Sequence, residues 1–145
     1  MKASEEFQAI LSDYREDLIL LDNSLRPGDG VFGFGRVPGD DPCHARFDAR
    51  AADLAESWAQ PDKERDGAAE LVRAMLCCDR ELSLPVYAQG MLVAIQRHVL
   101  PLIPRLTGAE AGEIRNWYEK QYPFYRRMPV QKDVLRALKS AETRS

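Results

Sequence analysis

Apolar side chains recur three and four positions apart along most of this 145-residue chain. In the first segment they stand at Phe7, Ile10, Leu11, Tyr14, Leu18 and Leu21. This spacing places them on one face of a helix with 3.6 residues per turn. Alternation of apolar and polar residues, the pattern of a half-buried β-strand, never extends beyond four positions. We therefore predict an all-α fold.

Start and stop residues divide this pattern into six helices. The first runs from Ser4, a good N-cap, to about residue 22. Asp41 caps the second, Pro42 opens it, and Pro61 opens the third. The fourth helix follows Pro85 and has the broadest apolar stripe, so we expect it at the centre of the fold.

The last two helices begin beyond the fourth, which Pro101 and Pro104 should kink or end. Thr107 and Glu110 form a capping box at the start of the fifth helix. The sixth follows Met128-Pro129. Together these signals predict a compact orthogonal or up-down bundle of five to six helices.

Length and composition fit a single helical domain spanning residues 1–145. A chain of this size buries enough surface to be stable without disulfides or a structural metal. The N-terminus lacks the basic flank of a signal peptide, no apolar run is long enough for a membrane span, and three cysteines cannot form a paired framework. We therefore expect a cytoplasmic protein that does not enter membranes.

One segment, about residues 23–41, interrupts the helical pattern with five Gly and two Pro. Its GxGxxG string follows a helix and not a strand, so it does not indicate a dinucleotide site. We expect an ordered loop in which Phe32 and Phe34 either cover the core or, with Arg36 and Asp40, line a pocket or partner surface. The aspartates here do not have the spacing of a calcium loop.

Cys43 is the main candidate for chemistry. It falls at the second position of a helix, where backbone N–H groups and the helix dipole lower a thiol pKa. A small enzyme or a thiol-based redox sensor would use it in this way, although a buried, inert thiol fits the same position. His98 is a second catalytic candidate, against the alternative of a hydrogen-bonded, half-buried imidazole.

A metal site would have to collect Cys43, His44 and Cys77, with Cys78 and His98 as the remaining donors. Neither the Cys-His nor the Cys-Cys neighbours have the CxxC spacing from which zinc sites are built. We predict no metal and no cofactor.

The segment Trp117–Pro129 is the densest in aromatic and basic residues, and residues 105–145 hold 9 Lys/Arg against 5 Asp/Glu. Residues 1–104 hold 11 against 18, which leaves a net charge of −3 for the chain. We predict a binding surface at Tyr122, Tyr125, Arg126 and Arg127, because aromatic residues and Arg are enriched at interfaces. Alternatively, Trp117, Tyr118, Phe124 and Tyr122 close one end of the core.

The resulting functional hypothesis is a non-catalytic module that self-associates or binds another protein. It uses the 122–127 region or the Gly-rich loop. An enzyme or redox sensor based on Cys43 is the alternative from another class. Nucleic-acid binding through the C-terminal segment comes third, because an acidic chain lacks the basic patch of a dedicated nucleic-acid binder.

Overall fold

The computed structural model describes residues 2–24, 41–81 and 86–143. Within these ranges the chain forms no β-strand, which confirms the all-α prediction. The helices are α1 (Ala3–Ser24), α2 (Pro42–Trp58), α3 (Arg65–Glu81), α4 (Val86–Ala94), α5 (Gly108–Gln121) and α6 (Pro129–Thr143). Three short 3-10 helices lie at Ile95–Val99, Ile103–Arg105 and Phe124–Arg126. No helix in the described ranges is both long and apolar enough to cross a membrane.

Two helix starts agree with the caps that the sequence predicts. The Asp41 carboxylate accepts a hydrogen bond from the Cys43 backbone N–H at 3.0 Å, and Pro42 is the first residue of α2. At α5 the Thr107 hydroxyl accepts from the Glu110 N–H at 3.1 Å, while Glu110 accepts from the Thr107 N–H at 2.9 Å. These bonds satisfy backbone donors that have no partner inside the helix.

Ser4 is not the cap of α1, contrary to prediction. The helix begins at Ala3, and the Ser4 hydroxyl donates to the Glu70 carboxylate on α3 at 3.5 Å. The N-terminal turn is closed instead by the Lys2 N–H, which donates to the Glu5 carboxylate at 3.4 Å. The Ser4 hydroxyl therefore binds a distant side chain on α3 instead of capping its own helix.

The start of α3 also differs from prediction, because the helix begins at Arg65 and not at Pro61. The Arg105 guanidinium holds the preceding link in a turn. It donates to the backbone carbonyls of Trp58, Gln60 and Lys63 at 3.0, 2.7 and 2.6 Å. These carbonyls are satisfied by a side chain 42 to 47 residues away in sequence, so the link needs no helix of its own.

The fourth helix lies at the centre of the fold, as its broad apolar stripe predicts. Together with the 3-10 segment Ile95–Val99 it packs against α2, α3 and α6, while α1 packs on α2 and α3, and α5 packs on α6. Leu92, Ile95 and Val99 are fully buried between these layers. The helix is shorter than predicted, since it tightens at Ile95, well before the prolines.

Trp58, the last residue of α2, packs on Gly67 near the start of α3. A Cβ atom at Gly67 would lie 2.8 Å from two atoms of the Trp58 ring. The indole is also fixed by its N–H, which donates to the Glu6 carboxylate at 2.8 Å. The absence of a side chain at position 67 therefore lets α2 and α3 approach at this point.

Candidate functional site

The aromatic–arginine segment, Phe124–Met128, is the most exposed apolar surface of the described residues. Phe124 and Tyr125 are 80% and 78% exposed, and Met128 is 49% exposed. Large aromatic side chains normally lose most of their exposure on folding, so a neighbouring pair that remains in water indicates a contact surface.

This segment is held by hydrogen bonds at both ends. The Arg126 N–H donates to the Pro123 carbonyl at 2.9 Å, and the Arg127 guanidinium donates to the Tyr122 carbonyl at 2.9 Å. The Met128 N–H donates to the side-chain carbonyl of buried Gln131 at 2.8 Å. The rings are thus presented by a fixed backbone, which reduces the entropy that binding would remove.

The two arginines of the segment lie over its rings. The Arg126 guanidinium is 5.6 Å from the Tyr125 ring centre, and that of Arg127 is 5.8 Å from the Phe124 ring centre. Within the described part of the chain neither arginine forms an ion pair. The segment therefore combines exposed aromatic area with two positive charges that no carboxylate of the described residues neutralises.

Tyr122 does not belong to this surface, contrary to prediction. It is 8% exposed, and its hydroxyl accepts from the Gln96 side-chain N–H at 3.2 Å and donates to the Leu76 carbonyl at 3.3 Å. Gln96 in turn accepts from the Tyr118 hydroxyl at 2.6 Å. Because Tyr118 and Tyr122 are four residues apart, they share the inner face of α5. Phe124, which the alternative placed at the end of the core, is exposed and does not close it.

Cys43 lacks the environment of a reactive thiol. It is 2% exposed. Burial, the hydrogen bond with Asp41 and the charges of Asp41 and Asp17 raise its pKa from 9.0 to about 11. The lowered pKa that the helix start predicts is therefore wrong, because desolvation and two carboxylates outweigh the helix dipole.

Both histidines are hydrogen-bonded along one face of α2. The His98 Nε2 lies 2.9 Å from an Asp48 carboxylate oxygen, and Arg97 donates to both Asp48 oxygens at 2.8 and 2.9 Å. The His44 Nδ1 lies 2.7 Å from the Tyr14 hydroxyl. Asp48 thus binds Arg97 and His98 together, and the arrangement ties α2 to the central segment.

Cys43 and His98 do not share a cleft. Asp48, which binds His98, is five residues after Cys43 on α2. At about 100° per residue, the two side chains point about 140° apart around the helix axis. Phe32, Phe34 and Arg36, with Asp40, lie outside the described residues.

The other cysteines are also separate from the histidines. Cys78 is buried and donates to the Met75 carbonyl at 3.2 Å. Cys77 is half-buried and lines an apolar groove of about 290 Å³ with Ile114 and Trp117, whose rim carries Arg73 and Glu113. Across the ranges that the structure describes, no three His, Cys, Asp or Glu residues come together as a metal site would require.

A second surface, which the sequence analysis did not identify, is an acidic groove at the start of α3. Its volume is about 730 Å³, and Trp58 and Gly67 form part of its wall. It is lined by five carboxylates and two lysines, namely Glu5, Asp62, Glu64, Asp66, Glu70, Lys2 and Lys63. None of these seven side chains takes part in an ion pair within the described residues. The sequence gives little signal for it: residues 62–66 alternate acidic and basic side chains, and the other carboxylates come from α1 and from later in α3.

No protein-family model matches the chain, and no curated protein or solved structure is similar to it. Among the described residues, we take two surfaces as candidates for function, the aromatic–arginine segment and the acidic groove. They carry opposite charges, and in both the charged side chains lack a partner of opposite charge within the described residues.

Proposed function

We propose that this protein is a non-catalytic interaction module that binds an acidic protein surface through the aromatic–arginine segment. The observation that carries this proposal is the exposure of Phe124 and Tyr125 on a backbone fixed at both ends. Burying one such side chain contributes about 1.5–3 kcal/mol to association. Two neighbouring rings provide the apolar centre of a small interface.

The charge of the segment supports an acidic partner. Arg126 and Arg127 are both without a carboxylate in the described part of the molecule, and both flank the exposed rings. Aromatic residues and arginine together are the types most often found at the energetic centre of interfaces. Opposite charge on a partner would guide encounter and fix orientation.

The alternatives have less support. The raised pKa of Cys43 disfavours a nucleophilic or redox-sensing thiol, since a thiol in that state is protonated at neutral pH. Nucleic acid would need a basic stripe that follows the phosphates. This segment has only two arginines, and the chain as a whole has a net charge of −3.

The test compares proteins captured from an extract of the source cells by the wild type and by the double variant Phe124→Ala, Tyr125→Ala. The matched control is Arg136→Glu, on an exposed site of α6. We expect a partner that the wild type and the control retain and that the double variant loses. The purified partner should then bind the wild type at least ten times more tightly than the double variant.

Two results would contradict the proposal. Equal retention by the wild type and the double variant would show that the rings are not the contact surface. Binding of a single-stranded 20-mer oligonucleotide that Arg126→Glu abolishes, without any protein partner, would favour the nucleic-acid alternative.

A further inference from the structure

We propose that the partner of the aromatic–arginine segment is a second copy of this chain, whose acidic groove receives the segment head to tail. This inference rests on the proposed function and names the partner for the same surface. It makes the protein a self-assembling unit with one donor surface and one acceptor surface.

Charge complementarity is the first argument. The groove carries five carboxylates against two lysines, and the segment carries two arginines. Within the described residues, neither surface satisfies its charges by ion pairs of its own chain. The segment thus offers positive charges and the groove offers negative charges, so each can pair with the other. Because these charges already lie at the protein surface, pairing them costs little desolvation.

The wall of the groove suits aromatic residues and arginine. Trp58 is half-buried there, and the ammonium of Lys63 lies 5.2 Å from the centre of its ring. Lys63 therefore already lies over this ring, and a partner's guanidinium that displaced it would stack there better than the ammonium does.

The position of the two surfaces excludes pairing within one molecule. Helices α3 and α5 run side by side in the same direction, because Arg73 pairs with Glu113 near their middle and the Tyr122 hydroxyl reaches the Leu76 carbonyl further on. The groove lies at the start of α3, and the segment follows the end of α5. With 17 residues, α3 is about 25 Å long, so the surfaces lie at opposite ends of this pair.

Such a contact joins two different patches and is therefore heterologous. After two copies have joined, one segment and one groove remain free at the ends. Further copies add until the chain of molecules closes into a ring or grows as a filament. The proposal thus predicts assembly beyond the dimer, unlike a symmetric interface in which both copies use the same patch.

The test uses two variants that each disable one surface. The donor variant, Phe124→Ala, Arg126→Glu, disables the segment. The groove variant, Asp62→Lys, Glu64→Lys, reverses two of the groove's negative charges at exposed positions. By sedimentation velocity in 50 mM salt, we expect the wild type and Arg136→Glu to show a mass that increases with concentration beyond the dimer. Each double variant alone should be a monomer.

An equimolar mixture of the two double variants is the decisive sample. Only one intact segment can then meet one intact groove, so we expect a one-to-one dimer and nothing larger. Raising the salt to 500 mM should weaken its association by about tenfold or more, because charges at the surface are strongly screened at that ionic strength. Circular dichroism of both variants checks that the fold is retained.

Three outcomes would overturn the inference: a wild type that stays monomeric at millimolar concentration, a mixture that stays monomeric, or a dimer that the groove variant still forms with itself. These outcomes are distinct from failure of the proposed function. A different acidic protein that the wild type binds and the Phe124→Ala, Tyr125→Ala variant loses would leave the segment as a binding surface and reject only the second copy as its partner.

Discussion

Two glycines that differ in their surroundings give the sharpest test of the packing described above. Gly67 in α3 lies against the Trp58 ring, where a Cβ would be 2.8 Å from two ring atoms. Gly90 in α4 is exposed, and a Cβ there would meet no atom within 4 Å. The same substitution, Gly to Ala, is therefore expected to have opposite effects at the two sites.

The magnitudes follow from three contributions. Alanine is favoured over glycine within a helix by about 1 kcal/mol, and this gain applies at both positions. At position 67 the indole must move, and overpacking of this kind costs about 1–3 kcal/mol. Movement also weakens the bond from the Trp58 N–H to the charged Glu6, worth about 1.5–3 kcal/mol. With the bond lost, overpacking and the bond together less the alanine gain lower the free energy of unfolding of Gly67→Ala by about 1.5–5 kcal/mol. We expect Gly90→Ala to raise it by about 0.5–1 kcal/mol.

Urea unfolding followed by circular dichroism measures both free energies. Because the chain has two tryptophans, fluorescence in a Trp117→Phe background reports the displacement of Trp58. Gly90→Ala is the control, because it makes the same covalent change without the steric conflict. The reasoning is refuted if Gly67→Ala unfolds at the same or a higher urea concentration than the wild type. An unchanged indole spectrum would refute it equally.

Three further predictions concern the buried groups. Gln96→Leu should reduce the free energy of unfolding in urea by about 2–4 kcal/mol, since the Tyr118 and Tyr122 hydroxyls lose a partner inside the core; a loss below about 1 kcal/mol would contradict this. At neutral pH, a maleimide should label half-buried Cys77 at least about ten times faster than Cys43, as peptide mass spectrometry would show, and the reverse order would restore the reactive-thiol hypothesis. The pKa of Cys43 is about 11 in the folded chain against 9.0 as its ordinary value, so its contribution to stability is complete below pH 9 and is lost as the pH rises towards 11. Cys43→Ala should therefore lose less stability between pH 8 and 10.5 than the wild type in urea unfolding, and parallel losses would count against the raised pKa.

Local chemistry made part of the fold predictable. The starts of α2 and α5 depend on Asp41 and on the Thr107–Glu110 pair, whose partners lie within three residues. The central position of α4 follows from the breadth of its apolar stripe. The cap contacts lie within three residues of each helix start, and the stripe lies within one helix, so the sequence of a single helix shows both.

The errors have the opposite origin. Ser4 and the start of α3 depend on Glu70 and Arg105, which are distant in sequence. Neither alternative for the 117–129 segment is right for both Tyr122, which is buried, and Phe124, which is exposed. The chain leaves the helical period at Pro123, so spacing no longer indicates which way a side chain points. The acidic groove was missed because its carboxylates come from three separate segments.

The three carbonyls bound by Arg105 have an evolutionary consequence. Among the described residues, the hydrogen bonds of this guanidinium go to main-chain carbonyls from the end of α2 to Lys63, so they do not depend on which side chains the link carries. Asp62 and Glu64 can thus be exchanged by mutation without loosening the turn. In related chains we expect an arginine at position 105 whichever residues stand at 62 and 64. Selection could then change the partner of the groove while the scaffold around it stays the same.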